Sequence, residues 1–500
     1  MTTPPPPPAP GPAPPPVALC EQARRARDAR FDGVFFTAVK TTGIYCRPVC
    51  PAPAPKAANV EYFAHAAAAE AAGYRPCLRC RPELAPDAGG WRRGEHILAR
   101  GLRLIEDGLL DDAPMARLAE RLHVGERHLR RLFVATLGVT PQQVQGTRRL
   151  LFAKRLLTET ALPVTDVALA AGFRSLRRFN DAFANAYGMP PGRLRQSADA
   201  PPDPGPLRLK LGYRPPFDFR ASLAFLRARA LPGIERVDDD AYTRVIDAAG
   251  AWLELREWGS DEPALRLSLY GLAPAMLPGI VRRVRRMFDL DADPQTIQAR
   301  LGDDPLLTPL IARHPGLRLP GGWDGFEVAV RAVLGQQVSV AAAVTLARRL
   351  VAKHGEALAN PVNDQLHTLF PCPARLAAAD LAHVGLPGKR AATLQALARA
   401  VRDGRVDFRS EQPLDEFVAR WRTIPGIGDW TAHYIALRGL HHPDAFPAGD
   451  LVLRKQAGGG AALTEKQLLA RAEGWRPWRG YAVIQLWRAA AAAPLKEPTP

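Results

Sequence analysis

Four cysteines in two short pairs carry the first recognisable chemistry of this sequence. Cys46 and Cys50 are separated by three residues in "TTGIYCRPVC", and Cys77 and Cys80 follow as a tighter pair in "RPCLRC", with Cys77 standing 27 positions after Cys50. Two chelating turns of soft thiolate ligands suit one tetrahedral zinc ion. Three readings stay open on spacing alone: a metal staple for a small domain, a cluster with no metal, or a metal-activated thiolate nucleophile, since zinc keeps sulfur deprotonated at neutral pH. A second group lies far downstream. "WRTIPGIGDWTAHYIALRGL" reads as helix, tight turn, helix, and Gly426 and Gly428 can turn the chain sharply and bring amide N–H groups to a helix start, where a phosphate can sit. Asp450 follows 22 residues after Gly428 in "FPAGDLVLRKQ", just ahead of a helical run. Its bland role is an N-cap, and capping is compatible with chemistry because helix-start amides favour the carboxylate anion.

The elements that position these groups are spread over a chain of 500 residues, long enough for three or four domains by the usual prior of roughly 100 to 200 residues each. The balance of 67 Lys+Arg against 50 Asp+Glu gives +17, which favours a polyanionic partner or an anionic membrane surface over a small acidic metabolite. No apolar run approaches the roughly 20 residues of a membrane span, and "MTTPPPPPAPGPAPPP" lacks the blocks of a secretory signal. A cytoplasmic location with reduced thiols is therefore expected, with no membrane partner and no disulfide framework among the six cysteines. Ten prolines in the first 16 residues mark a disordered leader over 1–16.

A small α+β domain is expected over 17–88, with "GVFFTAV" as a strand and "HAAAAEAAG" as a helix. A helical domain over 89–196, beginning near Trp91, holds two similar segments, "MARLAERLHVGERHLRRLFVATLG" and "VTDVALAAGFRSLRRFNDAFANAYG". Each reads as a short helix, a turn and an arginine-bearing helix, a helix-turn-helix layout; a solvated amphipathic bundle is the bland alternative. Residues 121–200 carry 13 Lys+Arg against 5 Asp+Glu, so this stretch concentrates the charge where a groove-reading helix is expected. Phe133, Phe173, Phe179 and Phe183 fall at helical spacings and read as core. "SADAPPDPGP" marks a linker over 197–206, alternating runs mark a β-rich subdomain over 207–290, and helical periodicity dominates 291–495. The fold class is thus multidomain and predominantly α.

Three resemblances sharpen these expectations. "FDGVFFTAVKTTGIYCRPVCPA" with "AAGYRPCLRCRPE" resembles the zinc-binding domain of the Ada methyl phosphotriester repair proteins. That likeness implies a four-thiolate zinc site made by Cys46, Cys50, Cys77 and Cys80, with Cys46 irreversibly accepting a methyl group from a methylated DNA phosphate. Four thiolates on Zn²⁺ carry −2, and methylation leaves −1, so repulsion from DNA falls after transfer. A departure is "PAPAPKAAN" after Cys50, where relatives carry more arginine. The tandem repeat, ending "AGFRSLRRFNDAFANAYGMPPGRLR", resembles the AraC-type DNA-binding domain. It implies DNA contact by Arg127, His128 and Arg130 and by Ser175, Arg177, Arg178 and Asn180, a promoter as double-stranded DNA partner, and RNA polymerase as a further partner.

The C-terminal half, with "HPGLRLPGGWDGFEVAVRAVLGQQVSV" and "GWRPWRGYAVIQLW", resembles the helix-hairpin-helix DNA glycosylases of the AlkA type, including a β-rich AlkA N-terminal subdomain and an all-α glycosylase domain. The likeness implies release of alkylated purines such as 3-methyladenine from DNA, with Asp450 as the catalytic carboxylate and Trp430, Tyr434 and Trp487 as pocket aromatics. It implies DNA contact at Gly426, Gly428, Gln336 and Gln337 and a monovalent cation at the hairpin. Trp475 and Trp478 read as packing. A glycosylase that also nicks the strand carries lysine where this chain has Trp430, so a monofunctional hydrolase using water is expected. Gln337 departs from the bulky apolar wedge of the resembled enzymes. No Pro-Cys-His-Arg run exists, so an O6-alkylguanine acceptor is not expected, and Cys20 and Cys372 read as inert. The rival reading is a transcription regulator with structural zinc and an inactive glycosylase half.

Overall fold

The computed structural model describes residues 14–85, 97–196, 205–259 and 262–492. Most of the proline-rich leader, the start of the helical pattern at Trp91 and most of the 197–206 linker lie outside them. Two compact units separate: one runs to Arg214 and includes Ala273–Arg282, and the other comprises Pro215–Leu272 and the chain from Arg283 onward. Helices dominate both, with the strands confined to small sheets. Among the described residues no helix is long and apolar enough to cross a membrane.

In the first unit a four-stranded sheet has the order Val60–Phe63, Phe36–Val39, Ile44–Cys46, Arg75–Pro76. The first three strands pair antiparallel, with Thr37 opposite Cys46. The short fourth runs parallel to the third, pairing Ile44 with Arg75 and Tyr45 with Pro76. Alternation puts Phe36, Ala38 and Tyr45 into a core closed by Ala66 and Ala69 of the helix Ala66–Ala71, whose small side chains allow it to lie close on the sheet.

The helical part of this unit carries the two repeats, Met115–Arg121 with Glu126–Leu137 and Val164–Ala170 with Leu176–Tyr187, joined by the long helix Pro141–Glu159. Thr140 caps that helix through a capping box with Gln143. Gly138 and Gly188, with φ of 74° and 69°, end the second helix of each repeat at the same point, a conformation that glycine reaches without strain. Phe133, Phe179 and Phe183 are fully buried, and Phe173 packs against Phe179 at 5.2 Å, so these aromatics are core.

The second unit contains an antiparallel meander of Glu235–Val237, Ala241–Val245, Trp252–Glu257 and Ala264–Tyr270. Its inward residues include Tyr242, Val245, Leu253, Leu255, Leu265, Leu267 and Leu269. Beyond Pro294 the elements are helical apart from the two-residue antiparallel ladder Glu356–Ala357 with Thr368–Leu369. The helices that matter for chemistry are Gly325–Leu334, Leu414–Trp421, Asp429–Arg438 and Leu451–Ala457.

Candidate functional site

The cysteine cage is assembled by backbone pairing. Cys46 ends its strand, and the parallel partner strand leads straight into Cys77, whose N–H donates to Tyr45 O at 3.0 Å. A turn closed by Cys50 N–H on Arg47 O at 3.1 Å brings the second thiol back, and Arg47 N–H donates to Cys80 Sγ at 3.3 Å. All four Sγ atoms lie within 4.8 Å of one another. A tetrahedral zinc with bonds of about 2.3 Å separates its sulfurs by about 3.8 Å, so this donor set fits the metal. Four thiols this close cannot ionise together without a cation: the hydrogen bond with Cys50, and then that with Cys77, push Cys46 up, while the hydrogen bond with Cys46 leads those that hold Cys77 far down. Cys77 and Cys80 are buried, whereas Cys46 and Cys50 are partly exposed, so an attacking electrophile meets the first pair. The partly buried Arg47 guanidinium donates to Asp32 Oδ1 at 2.8 Å and to Cys80 O at 3.0 Å, tying the ligand loop to the sheet domain. Beside the arginine-poor "PAPAPKAAN" stretch, exposed Arg27 reaches in from the first helix and donates to Pro51 O and Ala52 O at 3.2 and 3.3 Å. Cys20 is fully buried and burial pushes its thiol up to about 11, whereas Cys372 is exposed at a helix start.

The repeats present their predicted residues on one side of each second helix. Arg127, His128 and Arg130 are exposed on Glu126–Leu137, whose other side buries Leu129, Phe133 and Leu137. In the second repeat Arg177, Arg178 and Asn180 are exposed, but Ser175 has a local duty: its hydroxyl caps the helix by accepting from Arg178 N–H at 3.4 Å.

The third constellation lies in the second unit. Leu414–Trp421 and Asp429–Arg438 flank the hairpin. Gly426 has φ of 86° and a Cβ there would sit 2.0 Å from Thr393 Oγ1, so both backbone and packing require glycine. Gly428 is extended and open on its Cβ side, so the fold itself does not demand glycine at that position. Gln336 Nε2 donates to Gly426 O and to Thr431 Oγ1, both at 2.9 Å, pinning the hairpin from the helix Gly325–Leu334 side. Gln337 is exposed with φ of 56°.

Asp450 is the N-cap of Leu451–Ala457, and its Oδ1 accepts from Val452 N–H and Leu453 N–H, each at 3.0 Å. Its other oxygen, Oδ2, accepts from Trp430 Nε1–H at 3.1 Å. The Trp430 ring stacks on Tyr434 at 5.3 Å and 22°, and Tyr434 meets Trp487 at 6.0 Å and 44°. Thus the structure brings together the carboxylate and all three aromatics expected beside it. Trp475 and Trp478 are 1% and 3% exposed and belong to the packing, with Trp475 Nε1–H donating to Asp304 Oδ2 at 2.7 Å.

Sequence reasoning missed two cations next to this group. Arg438 Nη1–H donates to Tyr434 Oη at 3.2 Å, and Arg229 lies with Arg438 over the Phe225 ring, at 3.7 and 4.7 Å. Arg438 had a signal, since it stands four residues after Tyr434 on one helix. Arg229 had none, being some 200 residues away in sequence. Also missed was Lys154, buried on Pro141–Glu159 and donating to Cys77 O at 2.9 Å and Glu83 Oε2 at 2.6 Å.

Comparison with known proteins agrees with this division of labour. Residues 19–83 match the metal binding domain of Ada, 118–197 a helix-turn-helix domain, 208–324 the AlkA N-terminal domain and 330–478 the HhH-GPD superfamily of base excision DNA repair proteins. A Mycobacterium tuberculosis protein named as a probable bifunctional transcriptional activator/DNA repair enzyme AlkA is 40% identical over 94% of this chain and 95% of its own. The Escherichia coli DNA-3-methyladenine glycosylase 2 is 37% identical, covering 55% of this chain and 95% of that protein. The solved 3-methyladenine DNA glycosylase from Archaeoglobus fulgidus shares the fold over 57% of this chain and 99% of its own, with a TM-score of 0.51 at 19% identity.

Proposed function

This chain belongs to the AlkA family of bifunctional transcriptional activator/DNA repair enzymes, and from that premise we propose how its residues divide the work. The protein is a DNA alkylation repair glycosylase that also carries an Ada-type zinc domain and a helix-turn-helix regulatory domain. In our reading Asp450 drives loss of an alkylated purine such as 3-methyladenine. The damaged nucleotide is extruded and its base enters against Trp430, Tyr434 and Trp487. As the bond from C1′ to the purine nitrogen breaks, its electron pair leaves with the base and positive charge grows on the sugar. The Asp450 carboxylate, held by three N–H donors, stabilises that charge, and water adds at C1′ as one of its protons passes to solvent. An N-alkylated purine is already cationic, so it departs without a strong general acid and is favoured by aromatic faces. With Trp430 at the head of the hairpin helix and no lysine, the reaction ends at hydrolysis.

The hairpin amides around Gly426 and Gly428, with Gln337, hold the DNA backbone near the lesion, and Gln336 supports them by pinning the hairpin. We include a monovalent cation there, on hairpin carbonyls: Ile424 O and Gly426 O each accept one hydrogen bond, from Ile427 N–H and Gln336 Nε2–H, and keep a second lone pair.

At the other end, Cys46, Cys50, Cys77 and Cys80 hold zinc, which keeps sulfur anionic at neutral pH. Cys46 Sγ attacks the methyl carbon of a methylated phosphate, forming the S–C bond as the O–C bond breaks and leaving an ordinary phosphodiester anion. The arginines and polar residues of the two repeats then read a promoter, with RNA polymerase as partner. We also keep the domain borders at 17–88, 89–196, 207–290 and 291–495, and a cytoplasmic location, as part of this proposal.

The observation that carries the enzymatic reading is the Asp450 carboxylate set beside the stacked aromatics. Its test is release of 3-methyladenine from methylated DNA by the parent and by Asp450→Asn. Equal rates, or no release by the parent, leave only the regulatory reading.

A further inference from the structure

The long helix Pro141–Glu159 is fixed to both DNA-reading helices. Its Val144 shares one core with Leu129, Phe133 and Leu137 of the first repeat, and Tyr187 of the second donates from Oη to Leu150 O at 3.3 Å. The same helix is bonded to the cysteine domain at three levels. Thr147 Oγ1–H donates to Glu70 Oε2 at 2.5 Å, and Glu70 Oε1 accepts at 3.0 Å from the hydroxyl of Tyr45, the neighbour of Cys46. Lys154 Nζ donates to Cys77 O at 2.9 Å and to Glu83 Oε2 at 2.6 Å. Arg81, the neighbour of Cys80, donates to Thr158 Oγ1 at 2.7 Å and to Glu159 Oε1 at 2.8 Å. From Thr147 to Thr158 the helix rises about 16 Å, so these bonds fix its direction as well as its distance. Of the three, the Lys154 level ends on a metal ligand itself. The Lys154 and Glu83 side chains are each 1% exposed, so water cannot take over either bond. The carboxylate balances the ammonium, which therefore acts on Cys77 through the direction of its hydrogen bond rather than through net charge.

We propose that Lys154 is a positioning residue for methyl transfer: it locks the buried ligand pair to the helix that carries both DNA-reading repeats, so that a methylated phosphate on bound DNA meets Cys46 Sγ in line. The inference rests on the methyl-acceptor reading above and adds the residue that ties the acceptor to the DNA. Cys77 and Cys80 are the buried half of the cage and Cys46 and Cys50 the partly exposed half, so the buried pair decides where the cage stands and where Cys46 Sγ points. Both carbonyls of that pair are held by cations: Cys80 O by Arg47 from within the cysteine domain, Cys77 O by Lys154 from the DNA-binding domain. In the transfer a sulfur electron pair forms the S–C bond while the O–C pair returns to the phosphate oxygen. Such an attack needs sulfur, carbon and oxygen nearly collinear, and a misplacement of about 1 Å can cost about 100-fold. The repeats hold the DNA and the cage holds the sulfur. The Lys154 bond keeps the two in register, which a cysteine domain on a loose tether could not do.

The experiment uses the full-length, zinc-loaded protein and two methyl donors. One is a duplex carrying a methyl phosphotriester; the other is methyl iodide, which needs no docking of DNA and loses iodide to the same sulfur. The test variant combines Lys154→Met with Glu83→Gln, so that no buried carboxylate is left unpaired. Its rate of methyl gain at Cys46 from the duplex should fall by about 10- to 100-fold, and that from methyl iodide far less, so the ratio of the two rates drops by about tenfold or more. Glu83→Gln alone keeps the ammonium and an acceptor beside it, and the ratio should drop less. A role in folding alone would slow both donors alike, so an unchanged ratio in the double variant overturns the proposal. Hydrogen exchange gives a readout that needs no transfer: the segment Cys77–Cys80 should exchange faster in the double variant than in the parent at equal zinc content. If the parent takes no methyl from the duplex, the methyl-acceptor reading fails on its own account. Exchange then still decides the tie, and identical exchange in parent and double variant sinks it.

Discussion

Trp430 and Asp450 are joined by one hydrogen bond, Nε1–H to Oδ2 at 3.1 Å, while the other oxygen of the same carboxylate caps a helix through Val452 and Leu453. The carboxylate therefore cannot rotate freely, and the aromatic that would stack on a base also aims the anion that would meet its sugar. Capping and catalysis use different oxygens. That separation makes the two roles experimentally distinct.

Asp450→Asn keeps an N-cap side chain that caps as well as aspartate, so thermal stability should stay near that of the parent. Release of 3-methyladenine should fall by roughly 100- to 1000-fold, the usual cost of removing a group that stabilises developing charge. Differential scanning calorimetry and chromatography of the released base check both halves.

Trp430→Phe retains a ring against Tyr434 and deletes the donor to Asp450. A hydrogen bond to a charged acceptor is worth about 1.5–3 kcal/mol, so the turnover rate should drop roughly 10- to 100-fold with little change in KM. A change confined to KM would mean that the indole acts by stacking alone.

Gly426→Ala and Gly428→Ala should part company. The first must adopt a left-handed backbone and meet Thr393 Oγ1, which costs about 1–3 kcal/mol of stability. The second fits an extended backbone with open space around it, so it should unfold like the parent yet bind DNA more weakly, as a methyl group now stands at a backbone that phosphate must approach. Unfolding curves and DNA-binding titrations on the two variants measure this contrast.

Chelating the metal, or Cys77→Ser, should expose the Ada-type domain to protease, because the buried pair Cys77 and Cys80 is then tied to Cys46 and Cys50 only by a two-residue strand pairing and a few hydrogen bonds. Cys46→Ala should abolish methyl gain by the protein when it is incubated with methyl phosphotriester DNA. Peptide mass spectrometry that finds the methyl group on Cys50 instead would reassign the acceptor.

His433 is neutral in the fold: burial is the largest cause holding it down to about 4, and its Nδ1 accepts from Phe446 N–H at 3.3 Å. The unfolded chain binds a proton near pH 6.5, so the stability from this group is complete above that value and is lost as pH falls toward 4. Denaturant midpoints between those limits should fall less steeply in His433→Asn than in the parent.

Much of this molecule was written locally. The spacing of Cys46, Cys50, Cys77 and Cys80, the Pro-Gly turn at 425–426, the helix start at Asp450 and the repeated arginine-bearing helices all depend on near neighbours, because chelating turns, hairpins and caps are short-range devices. From them the order of modules and the chemistry of each could be read. Tertiary structure decided what lies across long separations: that Asp450 meets Trp430 through its second oxygen, that Lys154 grips the carbonyl of Cys77, and that Arg229 joins Arg438 over Phe225 beside Tyr434. No periodicity encodes such meetings, since they depend on how helices and strands pack, and a buried charge shows its purpose only once its partners, or their absence, are in place.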